Sequence, residues 1–99
     1  MVLIFHKIHK QGGNAVLAIC DKEVCGKTLQ RGDVAVVVSE KFYKEKEIGE
    51  AEARRLLHRF GNINIIGNKA VRIAIEEKVL SIESVIEIGG VKHAQIFEI

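Results

Sequence analysis

Residues 15–20 read Ala-Val-Leu-Ala-Ile-Cys, an unbroken apolar run. A segment this short, with no polar side chain to offer water, reads as a buried strand. Just before it, Gln11-Gly12-Gly13-Asn14 reads as a turn, because glycine reaches positive φ without steric cost. Before the turn, residues 2–9 alternate. Val2, Ile4, His6 and Ile8 fall on one face, and Leu3, Phe5, Lys7 and His9 on the other. The chain therefore opens with an antiparallel hairpin, and whatever follows has to be built onto it.

The rest of the chain follows the same logic. Residues 21–33 are polar, contain Gly26 and Gly32, and read as loop. Val34 to Val38 is nearly all β-branched and reads as a third strand. Residues 39–48 are charged around Phe42 and Tyr43, a pair suited to pinning a short turn to the core. Over residues 50–60, Ala53, Leu56, Leu57 and Phe60 share one helical face, Glu50 and Arg54 form an i,i+4 pair, and Gly61-Asn62 is a stop. Ile63, Ile65 and Ile66 suggest a short strand or a buried connector, with Asn68 as N-cap of a second helix over 69–78 that buries Ala70, Val71, Ala74 and Ile75. Residues 81–84 form a turn, Val85, Ile86 and Ile88 a strand, and Gln95 to Ile99 a last strand. Strands lead and helices cluster later, which predicts a single α+β domain over 1–99, a mixed or antiparallel sheet of about five strands against two helices. With 47% hydrophobic residues the chain can bury a core without disulfides or metal.

Composition removes several classes of function. Fifteen basic against 13 acidic residues leave a net charge of +2, short of the basic excess of a dedicated duplex binder. No window approaches the ~20 apolar residues of a membrane span, and the amino terminus lacks the pattern of a signal peptide. The expectation is a cytoplasmic protein with reduced thiols and no membrane partner. Cys20 and Cys25 are separated by four residues, which fits neither a zinc template nor a Cys-x-x-Cys redox pair, so no metal and no cofactor are expected. Gly26-Lys27-Thr28 echoes the end of a phosphate-binding loop, but Asp21 stands where that motif needs its first glycine. Neither the serines nor the carboxylates assemble into a recognisable catalytic set.

Three segments carry candidate chemistry. The first is Ile88-Gly89-Gly90-Val91-Lys92-His93-Ala94-Gln95. Gly89 and Gly90 let backbone approach a ligand and expose N–H donors. His93 is the best candidate for proton transfer, and the Gln95 amide can read another amide or a base edge. The alternative is a Gly-Gly hairpin turn whose neighbours satisfy local backbone. The second is Gly67-Asn68-Lys69, a strand-to-helix junction whose free N–H groups, with Lys69 and Arg72, would favour an anion. The third is the basic side of the first helix, where Arg54 and His58, and Arg55 and Arg59, are spaced i,i+4 and could contact phosphates. For each of the last two, the alternative is an ordinary solvated helix surface.

Val38-Ser39-Glu40-x-Phe42-Tyr43, Gly67-x-x-Ala70-Val71 and the terminal Ile88-to-Gln95 motif together resemble the small archaeal proteins catalogued as domain of unknown function 424. The resemblance runs over nearly the whole chain. It implies an archaeal cytoplasmic protein and no particular activity. Three readings follow. One is a non-enzymatic binding module associated with RNA, a ribonucleoprotein or the translation machinery. A second is a small enzyme or anion binder built on Gly89, Gly90, His93 and Gln95. The third is a self-associating protein that pairs as a homodimer through its apolar C-terminal strand.

Overall fold

The computed structural model describes residues 2–98. The opening hairpin forms as its alternation predicts, from β1 (Leu3–Gln11) and β2 (Asn14–Asp21), in register from Gln11 opposite Asn14 to Ile4 opposite Asp21. After it come β3 (Thr28–Arg31), β4 (Val34–Val37), α1 (Glu40–Tyr43), β5 (Lys46–Gly49), α2 (Glu50–Leu57), β6 (Ile63–Ile66), α3 (Asn68–Glu76), β7 (Ile86–Ile88) and β8 (Val91–Ile96). Single 3-10 turns stand at Lys22–Val24 and Ile82–Ser84. The main sheet has six strands in the order β5-β1-β2-β6-β8-β7, while β3 and β4 form a separate two-stranded ribbon. Only β2 and β6 run parallel within the main sheet. This is an α+β fold with a mixed sheet.

Both faces of the sheet are covered, which is why β2 is apolar without interruption. On the helical face, Ile4, Leu17, Ile19, Ile63, Ile65 and Ala94 pack under α2 and α3 through Ala53, Leu56, Leu57, Ala70, Val71, Ile73 and Ala74. On the other face, Ala18, Cys20, Ile66 and Ile88 pack under the ribbon, the first 3-10 turn and α1 through Leu29, Val38, Val24 and Tyr43. We call the latter the ribbon face. Strand alternation decides which of these two cores each buried sheet residue joins.

The structure corrects several boundaries. The stretch 21–33, expected as loop, contains β3. That strand buries only Leu29, so its sequence carries no apolar alternation. The expected third strand is β4, and it pairs with β3 rather than with the main sheet. Lys46–Gly49 is an edge strand signalled by one buried residue, Ile48. The first helix ends at Leu57 rather than at Phe60. The N-cap of α3 is Gly67, whose carbonyl accepts from Val71 N–H at 3.0 Å, rather than Asn68. The last strand is Val91–Ile96, not 95–99, and it lies between β6 and β7. Ile99 falls outside the described residues. The edges of the sheet belong to β5 and β7, both short and both charged, as exposed edges are in soluble proteins.

Candidate functional site

The strand-to-helix junction at Gly67 is occupied from inside the protein. Because β2 and β6 run side by side with Cys20 opposite Ile66, the next residue of β2, Asp21, arrives beside Gly67. Its carboxylate accepts the backbone N–H of Lys69 at 2.9 Å and of Ala70 at 2.8 Å. These are the orphan donors of the first turn of α3, so Asp21 caps a helix that begins far along the chain. Burial pushes the Asp21 carboxyl up from its usual range, and the two amide bonds pull it back. Gly67 has φ +123°, and a Cβ there would lie 2.3 Å from the Asp21 Cγ. The flanking cations are also engaged: Lys69 pairs with Glu23 at 3.1 Å, and Arg72 with Glu76 at 3.2 Å. The donors expected to attract an external anion are therefore already spoken for.

In the terminal motif, Gly89 and Gly90 have φ +56° and +81°, the signature of a type I′ turn joining β7 to β8. Gly89 also seats against the ribbon, where a Cβ would come within 3.0 Å of the Gln30 carbonyl oxygen. Turn geometry and close packing together account for the glycine pair. His93 stands in register between Ile66 and Ile86 on the ribbon face, half-buried and outside both grooves described below. Burial lowers its imidazole from the ordinary histidine range, leaving it neutral near pH 7. No acid, base or nucleophile is brought to it among the described residues.

The basic residues of α2 and α3 lie on the opposite side of the sheet from His93 and Gln95. Arg54 is the hub of an ion-pair network joining α2 to α3, with contacts to Glu50 and Glu76 at 2.6 Å and to Glu77 at 2.9 Å. His58 meets the same Glu77 at 2.8 Å. Of the expected stripe, Arg55 and Arg59 are exposed without an ion pair among the described residues. A groove of about 280 Å³ lies beside α3, between Arg72, Glu76 and Lys92, over Val71 and Ile75. Its charges are mixed, and Arg72 is already paired.

A second groove, of about 220 Å³, opens on the ribbon face where the ends of β2, β6 and β8 meet α1. Val16, Phe42, Asn62, Asn64, Gln95 and Phe97 line it. Register explains the grouping: Asn64 lies opposite Gln95 across β6 and β8, and Ala18 lies opposite Asn64 across β2 and β6. The short helix α1, capped by Ser39, whose Oγ accepts Phe42 N–H at 3.2 Å, holds Phe42 and Tyr43 over this end. The His9 ring stacks on Phe42 with centroids 4.5 Å apart and donates from Nε2 to the Phe42 carbonyl at 2.8 Å. Lys7 donates to the carbonyl of Lys41 at 3.0 Å, which sets the Lys7 ammonium beside α1. Of the lining amides, Asn64 Oδ1 accepts from the buried Tyr43 Oη at 2.5 Å, and Asn62 Oδ1 accepts Glu98 N–H at 3.1 Å. The Gln95 side chain is exposed, and Phe97 is 72% exposed.

Of the residues expected at a site, Gln95 alone lines this groove. Asn64, Phe42 and Phe97 were not anticipated. Asn64 did leave a trace, as a polar residue inside Ile63-Asn64-Ile65-Ile66, but strand parity only acquires meaning once the sheet partners are known.

The fold is thus that of a small α+β domain with a largely apolar groove on one sheet face and an ion-pair network on the other. The chain belongs to the family described as Protein of unknown function (DUF424), whose model matches residues 9–99. It is similar in fold to an uncharacterized conserved protein from Methanopyrus kandleri, known from its crystal structure, with a TM-score of 0.78 at 24% identity over 98% of this chain and 95% of that one. No curated protein matches the chain. No helix is long and apolar enough to cross a membrane among the described residues.

Proposed function

We propose that this protein is a non-enzymatic binding module for single-stranded RNA, working in the cytoplasm, with one unstacked base held in the ribbon-face groove. The observation that carries the reading is that one largely apolar groove brings the exposed Phe97 ring together with the exposed Gln95 amide and with Asn64. Sequence-specific RNA recognition works in this way, by stacking a splayed base on an aromatic ring and bonding its edge. The volume also fits. At about 220 Å³ the groove is below the ~300–1,000 Å³ of small-molecule sites, which suits a single planar ring better than a whole metabolite. Lys7, whose ammonium is held on the Lys41 carbonyl next to Phe42, supplies positive charge on the α1 side, where a backbone phosphate would pass.

The test is fluorescence anisotropy with a labelled, unstructured RNA 12-mer. Replacing Phe97 with Ala should weaken binding by about 5- to 150-fold, the worth of one base–aromatic stack. One phosphate contact from Lys7 should make affinity fall by about threefold between 50 and 200 mM salt. The double change Arg55→Ala, Arg59→Ala on the helical face should leave affinity unchanged. Loss of binding in that double variant, with the Phe97 variant unaffected, would move the site to α2 and overturn the proposal.

A further inference from the structure

We infer that Cys20 and Cys25 are a redox site, a dithiol that a low-molecular-weight disulfide converts to an intramolecular disulfide. The inference is independent of the RNA reading. Four residues stand between the two cysteines, a spacing that signals nothing by itself. The fold brings them together. β2 ends at Asp21, a single 3-10 turn runs over Lys22–Val24, and the chain comes back with Cys25 as the C-cap of that turn. Both side chains join the ribbon-face core, Cys20 fully buried and Cys25 half-buried at its margin. Their thiols lie in hydrogen-bonding contact. The returning chain is tied down just beyond that contact: Gly26 N–H donates to the Val38 carbonyl at 2.8 Å, and Lys27 N–H to the Val24 carbonyl at 3.1 Å. The two sulfurs therefore face each other before any oxidant arrives.

Their unequal burial divides the work. Cys25 is the thiol that an external disulfide RSSR reaches, whereas Cys20, with no exposed surface, meets only a sulfur already beside it. The Cys25 thiolate attacks one sulfur of RSSR. A Cys25–SR bond forms, the S–S bond of RSSR breaks, and RS⁻ leaves to take up the proton that Cys25 released. Cys20 then attacks Cys25 Sγ, and the second RS⁻ leaves with the Cys20 proton. Two cysteine thiols are oxidised and RSSR is reduced to two RSH, so no further electron acceptor enters. Burial pushes both thiols up from their ordinary range, and contact with Cys20 draws Cys25 partly back. Little thiolate is present near neutrality, so the exchange is slow there and quickens as pH rises. The product is a ring closed over Asp21–Val24, which fixes the segment whose Asp21 carboxylate caps α3.

The experiment incubates the folded wild-type protein with glutathione disulfide at about pH 8, where thiolate begins to accumulate. The chain is then unfolded, alkylated and weighed by mass spectrometry. The expected product is a monomer lighter by two hydrogens, with neither cysteine alkylated, and dithiothreitol should restore both thiols. Cys20→Ala removes the second attack, so that variant should stop as a mixed disulfide, heavier by one glutathionyl group on Cys25. Three results with the wild-type protein would each overturn the inference: both thiols still free, a glutathionyl adduct that persists on Cys25, or a disulfide between two chains. Because the deciding measurement uses the unaltered chain, it does not depend on how well the variant folds.

Discussion

Gly67 shows how a single residue can be fixed by a partner distant in sequence. Its φ of +123° already disfavours any side chain, and the space a Cβ needs is filled by the Asp21 carboxylate. Asp21 cannot move aside without surrendering the N–H groups of Lys69 and Ala70. Gly67→Ala should therefore destabilise the protein by about 3 kcal/mol or more, overpacking and backbone strain combined. Urea unfolding of the two proteins measures this, and a change below 1 kcal/mol would show that the junction relaxes. Asp21 and Gly67 also mark the limit of reading at this scale. The sequence shows an aspartate at the end of an apolar run and a glycine before a helix, each ordinary alone. Their contact depends on β2 and β6 lying parallel, which no local pattern reports.

At the level of elements, legibility followed burial. β1, β2, α2 and α3 each bury a full face, so alternation or helical spacing revealed them. β3 and β5 each bury a single residue, Leu29 and Ile48, and exist because neighbouring strands pair with them. The α2–α3 interface adds an electrostatic layer to its apolar one. Hydrogen bonds from Arg54 hold the Glu76 carboxyl below its ordinary range, and His58 and then Arg54 do the same for Glu77. A carboxylate whose folded value is depressed contributes stability above its unfolded value, and that contribution is lost as pH falls through the folded one. The network should thus support the fold near neutrality and fade below about pH 4.5. Glu77→Gln should flatten the acid limb of the stability–pH profile between about pH 5 and 3, as read by urea midpoints, and leave the slope above pH 5 unchanged. An identical acid limb in the variant would mean that solvent already screens these pairs.

For the molecule as a whole, the decisive fact is which residues share a face. Two of the three candidate segments in the sequence are the terminal motif and the arginine stripe. The fold places them on opposite sides of one sheet, with Arg54 paired to Glu76 and Glu77 at the end of α3. The groove draws on β2, α1, β6 and β8, segments spread over most of the chain, so only Gln95 could be picked out beforehand. The long-range cap has a consequence in time as well as in space. The first turn of α3 has its donors met only when β2 and β6 are aligned, and Asp21 lies 48 residues from Lys69. Helix and sheet therefore cannot mature separately, and the loop between them must close before either is secure. We expect Asp21→Ala to speed unfolding while leaving the folding rate nearly unchanged, a φ-value near zero in stopped-flow kinetics. A value near one would place this contact in the nucleus instead. Until that late contact forms, the first turn of α3 keeps its donors open, so the same step that joins β2 to β6 also finishes the helix.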